Sequence, residues 1–310
     1  MGIGKVAMGQ ADSDQSVLEL PSGGSLGFAG FGDPGGVPCV AFHGTSSSRL
    51  MPGWMFPHES LTAAGVRMIG VDRPGYGLST VPGAAEFSDW PRAVEALADH
   101  LGFSRFAVLA HSLGSAFALA CGPALRDRLA VIVIASGMGP LQPGERFRSG
   151  TRDDDLYWRL ARRQYKWLLN PLCRLSGTMV ARSARGDPQR FFEGFSQRLP
   201  EADRLTAQRV LACTAAQPIL IADLRESYRQ GFTAMAADLL KYTRPWGFRL
   251  DEVTTAVHLW HGEQDPRVPL TMAHRLAASL PRCQPHFAAG GHLMACDHTS
   301  GILAALTGAF

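Results

Sequence analysis

The sequence predicts an α/β fold, a mostly parallel sheet with helices on both faces. Three observations carry this. Short continuous apolar runs, CVAF at 39–42, FAVLA at 106–110 and LAVIVIA at 129–135, read as strands covered on both sides. Stretches of helical length separate them, and strand–helix alternation is the pattern of a parallel sheet with crossover helices. Glycine- and proline-rich turns stand where the runs end. With 310 residues, 46% of them hydrophobic, the chain can form one large domain of this kind, or one with an insertion.

Taken in order, residues 1–16 have no apolar segment of signal-peptide type and read as a disordered tail. VLELP and SLGFAGFG form a first antiparallel hairpin around the turn P-S-G-G. CVAF is the first buried strand and ends in His43-Gly44-Thr45, where glycine lets the backbone approach a ligand. HESLTAAG is a helix with a glycine stop, VRMIGVD the next strand, and DRPGYGLS a turn. EFSDWPRAVEALADHLG is an amphipathic helix closed by Gly102. The strand FAVLA follows, then the sharp turn AHSLGS, then a small-residue helix to about Leu125, then LAVIVIASG.

From Pro140 the character changes. Over 140–228 the chain is charged, aromatic and helical, and strand-like runs vanish. This predicts a helical cap inserted before the last two strands, with core segments at 17–139 and 229–310. Most of the cap aromatics (Tyr157, Trp158, Tyr165, Trp167, Phe191, Phe192, Phe195) and Met179 are expected to pack the cap's own core, and a few to line a pocket. FTAMAADLLKY returns as a helix. A strand within TTAVHLWHGEQDPRVP ends near Asp265, TMAHRLAASLP is a helix, and CQPHFAAGGH is a last strand ending at His292. LMACDHTSGILAALTGAF is a closing helix.

Composition narrows the function. The net charge of +3 is unclustered and points to neither nucleic acid nor a membrane surface. The apolar runs are too short to span a bilayer. The six cysteines contain no C-x-x-C pair, so a disulfide framework is not expected, and a reducing, cytoplasmic setting is. No dinucleotide fingerprint or phosphate loop follows a strand. His258 and His261 lie three apart on a strand and face opposite sides, and no other ligand cluster suggests a metal. No cofactor is expected. The oligomeric state is open between monomer and dimer.

The chemistry concentrates in three loops. Ala110-His111-Ser112-Leu113-Gly114 is a small-x-Ser-x-small turn between strand and helix. Such a turn holds its serine in a strained backbone conformation costing about 1–3 kcal/mol. Alone, Ser112 could simply cap a helix. Asp265 and His292, however, follow later strands, and in a parallel sheet the carboxyl ends of strands share one side. A serine hydroxyl needs a neutral imidazole to take its proton, and that imidazole needs an acceptor on its other nitrogen. His286, inside a strand, and His298, in the closing helix, are worse placed for that task.

With H-G at 43–44, D-R-P-G-Y-G at 72–77, the elbow at 110–114, H-G-E-Q-D at 261–265 and G-G-H at 290–292, the chain from Val17 to Phe310 resembles the α/β-hydrolase superfamily with a helical cap. The resemblance implies Ser112 as nucleophile, His292 as general base and acid, and Asp265 as orienting carboxylate. It implies an oxyanion hole from the backbone N–H groups of Leu113 and Thr45, with Gly44 or Ser46 as substitutes for Thr45. His43, Gly44 and Gly114 would support that geometry. Asp72, Arg73 and Asp238 read as structural, and His111 as packing beside the elbow. Ala110 and Ser115 replace glycines common in the family, but both are small. The serine argues against relatives whose nucleophile is an aspartate. The expected activity is hydrolysis of an ester or related acyl bond of a small molecule. Alternatives are a C–C bond hydrolase or an aminopeptidase with the same residues, a non-catalytic small-molecule-binding protein on this scaffold, or a lyase or cyclase. Asp153, Asp154 and Asp155 would be the acidic site of a peptidase, although such a run reads more simply as a solvated helix start.

Overall fold

A computed structural model describes residues 15–81, 86–142, 144–145, 147, 152–183, 186, 194, 196–197, 199–231 and 233–310. The strands are β1 (Gln15–Glu19), β2 (Ser25–Gly32), β3 (Val37–Phe42), β4 (Val66–Val71), β5 (Phe106–His111), β6 (Leu129–Ala135), β7 (Val257–Gly262) and β8 (Cys283–Ala288). They form one sheet in the order β1-β2-β4-β3-β5-β6-β7-β8. β2 pairs antiparallel with both β1 and β4, and every other pairing is parallel.

The side-chain period of two divides each central strand between two cores. Val40, Phe42, Val108, Ala110, Ile132 and Ile134 face one side, against α3 (Pro91–His100), α4 (Ser115–Ala124) and α10 (Leu270–Ser279). Cys39, Ala41, Ala107, Leu109, Val131 and Val133 face the other, against α1 (Met51–Met55), α2 (His58–Ala63) and α11 (Thr299–Thr307). Burial on both faces is why β5 and β6 read as unbroken apolar runs.

Helix boundaries follow their local chemistry. Pro91 opens α3 at a position that needs no amide hydrogen, after a turn in which Glu86 and Asp89 cap reciprocally. Between β6 and β7 lie α5 (Arg152–Arg162), α6 (Lys166–Ser183), α7 (Glu201–Ala212), α8 (Ala216–Ser227) and α9 (Thr233–Tyr242). α9 packs against α5 and α6 as well as under the elbow. No single helix among the described residues is long and apolar enough to cross a membrane.

Several sequence expectations need correction. Of the tail expected over 1–16, residues 1–14 lie outside the description, but Gln15 and Ser16 pair with Ala29 and Phe28 as the start of β1. The short helix α1 is not anticipated by pattern, because its five residues are too few to display a period. The closing helix begins at Thr299, not Leu293. Residues Met294–Cys296 form a separate 3-10 turn, and His298 precedes the helix, with its ring near Trp260. Tyr165 and Trp167 do not pack a core: they are 39% and 72% exposed. Phe191, Phe192 and Phe195 lie outside the described residues.

Two glycines set how closely β3 and β5 continue into their loops. A Cβ on Gly114 would stand 2.5 Å from the Phe42 carbonyl oxygen, and one on Gly44 would stand 2.9 Å from the Ser112 Cβ. Gly114→Val therefore forces the elbow away from β3. The expected outcome is a loss of about 1–3 kcal/mol, the usual cost of overpacking. Thermal or denaturant unfolding of the variant against wild type measures it.

Candidate active site

The four functional loops leave the carboxyl ends of β3, β5, β7 and β8. β3 neighbours β5, so the His43–Ser48 loop lies against the elbow. β7 neighbours β8, so Asp265 and His292 meet. β6 lies between the two pairs, and its exit carries Met138, whose amide donates to the Ser112 carbonyl at 3.4 Å.

Ser112 has φ of 53°, in the left-handed region that a serine adopts only under constraint. The constraint is visible. His111 ends β5, Ser112–Gly114 make one 3-10 turn, and α4 begins at Ser115. Ser115 donates its hydroxyl hydrogen to the Met138 carbonyl at 2.7 Å. Tyr242 of α9, fully buried, donates to the Leu113 carbonyl at 2.9 Å and accepts from the Ala116 amide at 3.2 Å. Serine at position 115 thus does more than keep the elbow small. It bonds the turn to the strand exit.

Asp265 and His292 are hydrogen-bonded, Nδ1 to Oδ2 at 2.8 Å. An ionised carboxylate only accepts, so Nδ1 carries the hydrogen, and in the corresponding neutral tautomer Nε2 is the acceptor nitrogen. The other Asp265 oxygen accepts the amides of Arg267 at 2.8 Å and Val268 at 3.0 Å. Burial pushes the Asp265 carboxyl up. The charge and hydrogen bond of His292, together with His261 and the Val268 amide, outweigh burial and hold it below the ordinary value. His261 lies 3.7 Å from Asp265 and donates Nε2–H to the Val268 carbonyl at 2.9 Å. Burial lowers its pKa.

Ser112, His292, Thr45 and Leu113 line one cavity of about 750 Å³. Its walls are largely apolar, with Met138, Trp158, Leu220, Leu239 and Val268 among them. Of the aromatics and Met179 expected over the sheet, Tyr157, Trp158 and Met179 reach this cavity. The side chains of Asp153 and Asp154 lie outside the description, and Asp155 falls on α5.

The supporting residues hold backbone. His43 donates Nδ1–H to the Gly44 carbonyl at 2.8 Å and accepts the Arg73 amide on Nε2 at 3.1 Å. Burial, and then the nearby Arg73, hold its pKa well below the usual histidine value. Arg73 also donates to the Gly44 carbonyl at 3.0 Å, and its guanidinium pairs with Asp238, which accepts from Tyr76 as well. Arg73 and Asp238 are therefore part of the loop's support. His111 donates Nε2–H to the His292 carbonyl at 3.1 Å, which couples elbow to imidazole. Burial, reinforced by His292, depresses its pKa to about 3, so it stays neutral.

Sequence reading misses two carboxylates, because nothing in a polar helix distinguishes an aspartate that points at a site from one facing solvent. Asp223 of α8 is 1% exposed. It accepts from the Ser47 hydroxyl at 2.6 Å, the Ser48 amide at 2.7 Å, the Ser48 hydroxyl at 2.6 Å and Trp54 Nε1 at 2.9 Å. Tyr228, just after α8, donates to the Ser46 hydroxyl at 2.5 Å. Asp203 of α7, also 1% exposed, accepts the Leu293 amide at 2.8 Å. The two helices thus grip the loops on either side of Ser112.

The alpha/beta hydrolase fold family matches residues 40–299 of this chain. A 2-hydroxy-6-oxononadienedioate/2-hydroxy-6-oxononatrienedioate hydrolase from Cupriavidus pinatubonensis is 28% identical over 243 residues, 77% of this chain and 74% of that protein. An acetyltransferase component of the acetoin-cleaving system from Pseudomonas putida is 30% identical over 146 residues, 45% of this chain. The chain spans about two fifths of that protein's length (39%). Among solved structures, a thermophilic esterase from Thermogutta terrifontis superposes with a TM-score of 0.61 at 20% identity, covering 94% of this chain and 96% of that one. A meta-cleavage product hydrolase from Pseudomonas fluorescens does so at 0.60 and 15%, covering 95% and 97%. At these identities the superpositions speak for the fold alone. With the family matched from β3 to the start of α11 and the sheet order found here, the chain is a hydrolase belonging to the α/β-hydrolase fold family.

Proposed function

We propose that the protein cleaves an ester or related acyl bond of a small molecule through an acyl-enzyme on Ser112. The observation that carries this reading is the pairing of His292 Nδ1 with Asp265 at 2.8 Å, with His292 lining the same cavity as a serine held at φ 53°. In this reading His292 Nε2 takes the Ser112 hydroxyl proton as the oxygen attacks the carbonyl carbon, and then delivers it to the leaving group. Water, deprotonated by the same nitrogen, releases the acyl group. Asp265 fixes the imidazole tautomer and offsets the charge it gains. The amides of Leu113 and Thr45 are the proposed donors to the developing oxyanion, each worth about 2.7–4 kcal/mol in the transition state. His43, Gly44 and Gly114 keep those amides in place. The helices over 140–228 act as the cap that shields the site from bulk solvent and shapes the acyl site. The reaction uses no cofactor or metal in this reading.

A second reading, cleavage of a C–C bond with the same three residues, is favoured by the likeness to the Cupriavidus hydrolase over three quarters of this chain. A panel of acyl esters run beside 2-hydroxy-6-oxo dienoates separates the two.

Ser112→Ala is expected to lower kcat/KM on any turned-over substrate by about 10³-fold or more. A fluorophosphonate should add once to wild type by intact mass and not to the variant. Wild-type rates in Ser112→Ala would sink both readings.

Asp223 supplies a pH test of the loop that carries Thr45. Burial pushes its carboxyl up to about 6, against the pull of its four hydrogen bonds. The folded state therefore holds this proton more tightly than the unfolded chain does. Its contribution to stability is full below the ordinary carboxylate pKa of about 3.9 and is lost as pH rises through about 6, a window worth up to about 3 kcal/mol. In Asp223→Asn the difference in unfolding free energy from wild type should change across pH 4–7 with that sign. The variant, unable to accept all four donors, should also lose about 10²-fold in kcat/KM as the loop shifts. A pH-independent difference would place the proton elsewhere.

A further inference from the structure

The carboxylate of Asp203 is half used. Oδ1 accepts the Leu293 amide at 2.8 Å, while Oδ2 is buried and has no hydrogen-bond partner among the described residues. A buried oxygen left unpaired is destabilising, and more so when charged. Asp203 also lines the cavity that holds Ser112 and His292, and it stands against the residue next to His292 in the chain. A Cβ on Gly291 would meet the carboxylate, so glycine there is what lets Asp203 come this close. Nothing in the fold requires the second oxygen. The Leu293 bond needs one acceptor, and α7 is independently tied to the His292 loop through Thr206 and Arg209, both of which donate to Asp297.

We propose that Asp203 is a substrate-binding residue, and that the substrate carries a hydrogen-bond donor, an ammonium or a hydroxyl group, which Oδ2 accepts beside His292. This rests on the acyl-hydrolysis reading of the site. The charges nearby fit a donor. Two carboxyl groups, Asp203 and Asp265, stand here against one guanidinium, that of Arg267. An anionic group at this position would leave Oδ2 unpaired and repelled. A plain alkyl group would leave it unpaired. Burial raises the Asp203 pKa, and a cationic or hydroxylic partner would lower it again on binding.

The test uses matched phenyl esters whose members differ only in a methyl, hydroxyl or ammonium group, placed on the acyl or the alcohol half. Wild type should favour a donor-bearing member over its methyl counterpart by tenfold or more in kcat/KM. Asp203→Asn keeps an oxygen for the Leu293 amide. It should erase the preference for ammonium and leave part of that for hydroxyl, with the loss on donor-bearing members at least tenfold larger than the loss on their methyl counterpart. Asp203→Leu should erase both preferences. Preferences unchanged by either substitution, or a loss equal for all three members, would overturn the assignment and leave Asp203 as a strut of the His292 loop. If wild type turns over no ester and takes up no fluorophosphonate, the acyl-hydrolysis reading fails separately. The binding claim is then read from thermal shift with the same compounds. Stabilisation by donor-bearing members that is absent in Asp203→Asn supports it, and equal shifts in both proteins overturn it.

Discussion

A serine backbone at φ 53° cannot hold itself. The strain at Ser112 persists only because β3, β5, α4 and α9 close around it with almost no slack. Gly114 lies where the Phe42 carbonyl leaves no room for a side chain, and Gly44 lies where Ser112 itself leaves none. Tyr242 binds both the Leu113 carbonyl and the Ala116 amide from below. The elbow, the adjoining Gly44–Thr45 backbone and the mouth of the cavity are therefore one packed object. A change in any of these contacts moves the others, and the hydroxyl is positioned by backbone rather than by side-chain choice.

Around that object the protein buries charge. Arg73 and Asp238 pair with side chains 0% and 3% exposed, and Arg49 bridges Asp72 and Glu226. Desolvating such ions offsets much of their attraction, so they are weak sources of net stability, while removing one partner alone costs about 3–5 kcal/mol. Their geometry suggests what they accomplish. Arg73 reaches the Gly44 carbonyl, and Asp72 accepts the amides of Arg49 and Leu78. In each case a buried ion holds loop backbone at the edge of the sheet, where no ladder of strand hydrogen bonds can do so.

The helices between β6 and β7 add a second level of control. Asp223 of α8 binds the serine-rich loop after β3, and Asp203 of α7 binds the loop after β8. These loops flank Ser112 on opposite sides, and α7 and α8 are consecutive helices in contact with each other. Movement of this pair would disturb both loops at once. The cap proposed over 140–228 is in this respect part of the site and not only a cover for it.

Much of this was legible in the chain. The unbroken apolar runs of β3, β5 and β6, the small residues about Ser112 and the order Ser112, Asp265, His292 are local properties, set by strand burial and by what a tight turn tolerates. They were enough to identify the fold and to name Ser112 and His292, which line one cavity, and Asp265, which His292 bonds. The sequence could not reveal which cap residues face that cavity, because helical period alone does not orient a polar helix that is anchored by hydrogen bonds. Trp158 and Trp167 are nine residues apart in the same aromatic stretch, yet one lines the cavity and the other is 72% exposed. Asp203 and Asp223 read as solvated aspartates until the folded chain sets them against amides and hydroxyls from segments far away in sequence. Residue type and spacing determined the chemistry available to this protein. Long-range packing, which alone decides what a buried oxygen meets, determined where the rest of the site would come from.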